Sequence, residues 1–177
     1  MLEVTMLPAA SADDATLVDA LCQVVNEAYE VAETGIWRQN YARTSVREVF
    51  AAIRSEQVAA ARLSGRLVGS VFIRKLDSET GWFGALAVAP AHGGRGIGRE
   101  LVAFAERWAL SAGLTRMQLE VLVSTEVEIA YLQRLAQWYW RLGYRGVSRS
   151  PLEEFEPDAL PFLATPCQVI VQIKPLS

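Results

Sequence analysis

The sequence predicts an α+β domain with a mixed, mostly antiparallel central sheet of about seven strands flanked by about four helices. Three observations predict it. The 177 residues are enough for one domain, spanning 1–177, and too few for two substantial ones. Apolar residues recur at helical spacing in some segments and at strand spacing in others. The resulting order, β-α-α-β-β-β-α-β-α-β-β, sets a run of hairpin strands before a β-α-β-α-β unit, which gives a mixed sheet.

The elements follow from local signals. Leu2 to Leu7 reads as a strand stopped by Pro8. Ser11-Ala12-Asp13-Asp14 resembles a capping box with Asp in place of Glu. Leu17, Leu21, Val24, Val25 and Ala28 follow at helical spacing, so a helix runs to about Glu33 and ends at Thr34-Gly35. A polar, aromatic connection from Ile36 to Tyr41 comes next. Ser45-x-x-Glu48 is a better capping box, and Val46, Val49, Phe50 and Ile53 give a second amphipathic helix. Val58–Leu63 and Leu67–Arg74 flank the hairpin signal Ser64-Gly65. Gly81–Val88 is largely apolar, which predicts a central strand, and Pro90 stops it. Leu101, Phe104, Ala105, Trp108 and Ala112 mark a third helix with Gly113 past its end. Met117, Leu119, Val121 and Val123 alternate with Gln118 and Glu120 in a strand. Leu132, Leu135, Ala136, Tyr139 and Leu142 mark a fourth helix, ended by Gly143. Tyr144–Val147 reads as a short strand. A proline-rich loop then leads to Cys167–Ile173, the last strand. That strand either pairs with a second copy in a homodimer or lies at an edge covered by the preceding loop.

Composition excludes several function classes. The formal net charge is −3 and the pI about 5.3, against a dedicated nucleic-acid binder. Cys22, Cys167 and the single histidine, His92, have no metal-ligand spacing, so no metal is expected. No apolar run approaches the ~20 residues of a membrane span, so no membrane partner is expected. The first residues lack the basic segment of a signal peptide, and the cytoplasm is the expected location.

The most informative stretch is Leu86-Ala87-Val88-Ala89-Pro90-Ala91-His92-Gly93-Gly94-Arg95-Gly96-Ile97-Gly98-Arg99. A strand, a tight glycine turn and a helix start gather free backbone N–H groups at the positive end of a helix dipole, a phosphate-binding device. Arg95 and Arg99 add positive charge. Arg99-Glu100 stands where a P-loop needs Lys followed by Ser or Thr, so that motif fails. The dinucleotide fingerprint fails as well, since Arg99 stands at its third glycine position and antiparallel-looking strands precede it.

These residues resemble the GNAT superfamily of acetyl-CoA-dependent N-acetyltransferases. Leu86-Ala87-Val88-Ala89-Pro90 is similar to that family's strand pattern L-x-V-x-P. Gly96 and Gly98 match its R/Q-x-x-G-x-G/A turn, with Gly93 where Arg or Gln is usual. Tyr139-Trp140-Arg141-Leu142-Gly143-Tyr144 resembles its later Y-x-x-x-G-F/Y motif, with Leu132 in place of a frequent asparagine. The resemblance implies the GNAT fold and acetyl-CoA (CoA) as cofactor. Transfer of acetyl to a primary amine of a small molecule or peptide is the implied reaction, by direct attack in a ternary complex. It further implies that Leu86, Ala87 and Val88 pair with the pantetheine arm. Gly93, Gly94, Arg95, Gly96, Ile97, Gly98 and Arg99 hold the pyrophosphate, and Tyr139 is the acid. A core tyrosine is the alternative for Tyr139. Glu120 is the candidate base, with a plain surface carboxylate or an ordered water as alternatives. Glu27, Glu30 and Glu33 with Tyr29, Trp37 and Tyr41 form an acidic, aromatic neighbourhood suited to a cationic amine. Within it, Glu27, Glu30 and Trp37 are the candidate substrate contacts, against a solvated helix face. Trp138 and Trp140 cannot both be buried, so one faces the cleft or a partner. A non-catalytic acyl-CoA sensor with the same fold is the alternative function.

Overall fold

The computed structural model describes all 177 residues. Seven strands form one sheet: β1 Leu2–Met6, β2 Val58–Leu63, β3 Arg66–Lys75, β4 Thr80–Val88, β5 Arg116–Ser124, β6 Arg145–Pro151 and β7 Cys167–Pro175. Their spatial order is β1-β2-β3-β4-β5-β7-β6, with β4 at the centre as its apolar sequence predicts. Every neighbouring pair is antiparallel except β4 and β5, which the helical crossover forces to be parallel.

Four α-helices cover the sheet: α1 Ala15–Ala32, α2 Val46–Arg54, α3 Ile97–Ser111 and α4 Ala130–Arg141. The capping box of α2 forms as predicted. The Glu48 N–H donates to Ser45 Oγ at 3.2 Å, and the Ser45 N–H donates to Glu48 Oε2 at 2.8 Å. The box at Ser11 does not form. Residues Ala9–Asp13 make a 3-10 turn, and Asp14 caps α1 by accepting the Leu17 N–H at 3.1 Å. The reason is local: the Asp14 N–H, which the box would give to the Ser11 hydroxyl, donates instead to the Ser11 carbonyl at 3.2 Å.

Alternation in β2 shows how the layers stack. Ala59 and Ala61 face a core formed with α3, α4 and β5, including Leu101, Met117 and Tyr139. Val58 and Ala60 face a second core with Val18 and Leu21 of α1 and Val49 and Ile53 of α2. The sheet is therefore buried on both faces at its centre, which explains why β2 lacks polar alternation. The end of α4 is tied to α3 and β7 through Glu106, which accepts from Tyr144 Oη and Lys174 Nζ, both at 2.8 Å.

The last strand is corrected by the topology. β7 is neither an edge strand nor free for a subunit partner: it is hydrogen-bonded between β5 and β6. The edge on that side is β6, longer than the predicted Tyr144–Val147 and almost wholly exposed. Arg145, Ser148 and Arg149 hide it from a hydropathy reading because an exposed edge has no apolar face to reveal.

β4 and β5 pair only from Thr80–Trp82 to Arg116–Gln118. Beyond Trp82 the two strands part. β4 bulges there, with Ala85 at φ +46, and the β5-side edge of Phe83 to Val88 has no strand partner.

Phe83 anchors the α3 face of this region, 1% exposed and packed against the rings of Tyr139 (6.1 Å) and Tyr144 (5.8 Å). Phe83→Ala is expected to cost about 3–5 kcal/mol in denaturant unfolding, the usual penalty for an aromatic removed from a packed core. A midpoint unchanged from the parent would contradict this packing.

Candidate active site

A cavity of about 770 Å³ occupies the gap between β4 and β5 and continues past the start of α3. At that start, Gly94 (φ +73) and Gly96 (φ +79) adopt left-handed backbone, which L side chains resist. Nothing lies within 4 Å of where a Cβ would stand at either residue. The N–H groups from Gly94 to Arg99 have no hydrogen-bond partner in the protein. They are the orphan donors of the turn and of the first turn of α3, adding to the positive end of its dipole. Gly93 differs, since its N–H donates to the Pro90 carbonyl at 3.2 Å.

Gly93, Gly94, Gly96, Ile97, Gly98 and Arg99 line the cavity, while Arg95 is exposed and is not part of the lining. Leu86 and Val88 line it from β4. Ala87 is buried and does not, because alternate residues of a strand face opposite ways. Lining residues of this half that are not among the site candidates read from the sequence include Trp138, Arg141 and His92. Trp138 stands 3.7 Å from the Cβ position of Gly98. Arg141 lies one turn further along α4. His92 has a buried Nδ1 with no partner. The Trp138 question is thereby resolved: it faces the cleft, and Trp140 is 60% exposed with the Arg145 guanidinium 4.6 Å from its ring.

Tyr139 is 6% exposed, lines the cavity, and its hydroxyl has no hydrogen-bond partner in the protein. Burial, with the Tyr29 and Tyr131 phenols nearby, holds it well above the ordinary phenol range. Glu120 lines the same cavity from β5. It accepts from Trp82 Nε1 and, at 2.7 Å, from Gln118 Nε2. The Trp82 ring lies along β4 across Gly84, which leaves room for it by having no side chain, and carries Arg74 4.6 Å from its centroid.

The other half of the cavity is built by α1, the connection after it and the loop before β7. Glu27 and Glu30 do not reach it: both are exposed on the outer face of α1 and neither lines the cavity. Helical phase is the reason. Tyr29 and Glu33, four residues apart, share the inward stripe, and Glu27 and Glu30 fall outside it. Trp37 stands behind this lining, stacked on Tyr41 at 4.0 Å and donating Nε1 to Glu33 Oε2. Arg43 donates Nη1 to both Glu156 oxygens, at 2.7 and 2.8 Å, and lies 5.1 Å from the Tyr29 ring centroid. Arg43 and Glu156 are 113 residues apart, so no spacing signal could have paired them. Burial raises the Glu33 carboxyl above the usual range, although Arg43 and the Trp37 N–H both pull it down. Burial likewise pushes the Tyr29 phenol up to about 12.

No group of three or more His, Cys, Asp or Glu side chains is placed to hold a metal, and no helix is long and apolar enough to cross a membrane. The cavity thus joins unpartnered N–H groups at a helix start to a gap in the sheet beside a buried phenol. Residues 19–158 match the model of the Acetyltransferase (GNAT) family, and the chain belongs to that family. No curated sequence matches it.

Solved structures share its fold. The ribosomal-protein-S18-alanine N-acetyltransferase of Escherichia coli superposes with a TM-score of 0.69 at 16% identity, over 100% of this chain and 95% of that one. PaiA N-acetyltransferase of Thermoplasma acidophilum, solved with coenzyme A, gives 0.68 at 14% identity, over 99% of each chain. YncA of Salmonella typhimurium, a putative acetyltransferase solved with acetyl-CoA, gives 0.67 at 15% identity, over 100% of this chain and 95% of that one.

A carboxyl whose value is raised by folding disfavours the folded state once the pH passes the unfolded carboxyl's value. Glu33→Gln is therefore expected to melt higher than the parent near neutral pH, with the difference closing below pH ~4. A lower melting temperature near neutrality would mean that the Arg43 attraction outweighs burial.

Proposed function

We propose that the protein transfers the acetyl group of acetyl-CoA to a primary amine of a small molecule or peptide within one ternary complex. The observation that carries this reading is the joining of two features in one cavity. One is the row of unpartnered N–H groups from Gly94 to Arg99; the other is the unpartnered Tyr139 hydroxyl beside the β4–β5 gap.

The residues fit acetyl-CoA. The open space over Gly94 and Gly96 admits a diphosphate to the main chain, and Arg99 and Arg141 supply cations. The β5-side edge of β4 around Leu86 and Val88 offers free main-chain groups to an extended amide-bearing arm. When bound, acetyl-CoA supplies a thioester whose carbonyl carbon accepts an amine nitrogen and whose sulfur leaves as a thiol.

The chain's own groups manage the protons. Tyr139 keeps its proton at neutral pH because burial disfavours the phenolate, so its hydroxyl is ready to donate toward sulfur. A thiolate in the same dry surroundings also has its proton affinity raised. Glu120 takes the proton of the amine, directly or through water. Its position is fixed by Trp82 and Gln118, which hold one oxygen each. Free thiols at Cys22 and Cys167 fit a reducing compartment such as the cytoplasm.

Coenzyme A at 100 times its Kd is expected to stabilise the protein by ~2.7 kcal/mol, read as a rise in melting temperature. Gly96→Val should lose that rise and, from its left-handed backbone, about 1–2 kcal/mol of stability. An undiminished rise in this variant would remove the diphosphate from the turn. Tyr139→Phe is expected to lower kcat for thiol release roughly 100-fold with coenzyme A affinity retained. Equal kcat in parent and variant would eliminate Tyr139 as the acid.

A further inference from the structure

The main-chain ladder between β4 and β5 ends at the pair Trp82 and Gln118, yet one bond crosses the gap just beyond it. Trp82 Nε1 donates to Glu120 Oε2, and Glu120 is the next residue after Gln118 on the same face of β5. Gln118 Nε2 donates to the other oxygen, Oε1, at 2.7 Å. A carboxylate offers about four lone-pair sites, so about two stay open to an approaching amine or water. Trp82 and Glu120 both line the cavity. The indole is confined in turn. A Cβ on Gly84 would stand 2.3 Å from Cζ2 and Cη2 of the ring, so any side chain there would displace it. The Arg74 guanidinium lies over the ring, 4.6 Å from its centroid, a cation set against an aromatic face.

We propose that Trp82 is a positioning residue for acetyl transfer: its indole N–H reaches from β4 across the parted strands and fixes the Glu120 carboxylate where an incoming amine gives up its proton. This rests on the reading of Glu120 as the proton acceptor. A glutamate side chain turns about several bonds, and a proton acceptor a fraction of an ångström out of place loses much of its effect. Two donors on two oxygens leave the carboxylate one arrangement, with its open lone pairs toward the cavity. An indole suits this task. It is rigid, it only donates, and it carries no charge, so the carboxylate keeps its own for the proton. Gly84 belongs to the same arrangement, because it makes room for the ring. In the transfer the amine nitrogen bonds to the acyl carbon, the carbon–sulfur bond breaks, one amine proton goes to Glu120, and Tyr139 protonates sulfur. Trp82 gives up no proton.

The test measures thiol release from acetyl-CoA with 2-phenylethylamine, phenylalanine, spermidine and a peptide with a free N-terminal amine, and uses the one that the parent turns over fastest. Trp82→Phe keeps an aromatic ring and removes the N–H. It is expected to lower kcat about tenfold, with KM for acetyl-CoA unchanged. Glu120→Gln should lower kcat about 100-fold. In the double variant kcat should equal that of Glu120→Gln, because a residue acting through Glu120 then has nothing left to position. A merely structural Trp82 would add its own loss to that of Glu120→Gln. The coenzyme A melting shift checks that each variant is folded. If Trp82→Phe lacks that shift, Gly84→Ala, which displaces the ring, takes its place in the cycle. Additive losses, or parental kcat in Trp82→Phe, overturn this inference and leave amine acetylation standing. Parental kcat in Glu120→Gln removes Glu120 as the base, and this inference with it. Coenzyme A binding with no turnover of any of these amines overturns the acetylation reading and the inference together.

Discussion

The parting of β4 and β5 is the constraint on which the rest of the structure depends. Two parallel strands that paired along their whole length would close the sheet and satisfy each other's main chain. Here the ladder stops at Trp82 and Gln118, and the bulge at Ala85 turns the rest of β4 away. Every buried amide on that edge then lacks its natural partner, which costs free energy unless something else supplies hydrogen bonds. An extended ligand arm is such a partner. The start of α3 lies just beyond the end of β4, so the orphan donors of a helix and those of a strand edge are collected in one place.

The cavity is divided electrostatically by the two sides of the sheet. On the α3 and α4 side it is positive, from helix N–H groups, Arg99 and Arg141. On the α1 side it is mixed, with Glu33 and Glu156 beside Arg43 and the rings of Tyr29, Tyr131 and Phe155. Tyr139 stands on the α4 side with its hydroxyl in the common space. The positive end suits an anionic donor, as the proposed reaction needs.

Much of this was legible in the chain. The glycine turn could be read because its device is local: strand, turn and helix start are contiguous, and Gly94 and Gly96 are needed by the left-handed backbone itself. Tyr139 could be read for a similar reason, lying in a compact motif that ends at Gly143. The acceptor side was legible only as a neighbourhood. Choosing Glu27 and Glu30 over Glu33 required the phase of α1 against the sheet, and an acidic helix with a Glu every three residues does not reveal which one turns inward. Trp138 was legible only as one of two tryptophans, and Arg141 and the Arg43–Glu156 pair were beyond reach, since each depends on segments distant in sequence.

By itself the sequence determined the α+β class, the identity and order of the elements and the glycine turn that opens α3, all of which follow from periodicity, capping and backbone freedom over a few residues. Only the tertiary structure decided that β7 inserts between β5 and β6, how far β4 and β5 stay paired, and which side chains face the resulting space. Those features depend on how distant segments share one core, where burial and hydrogen bonding are settled jointly by residues no local pattern connects.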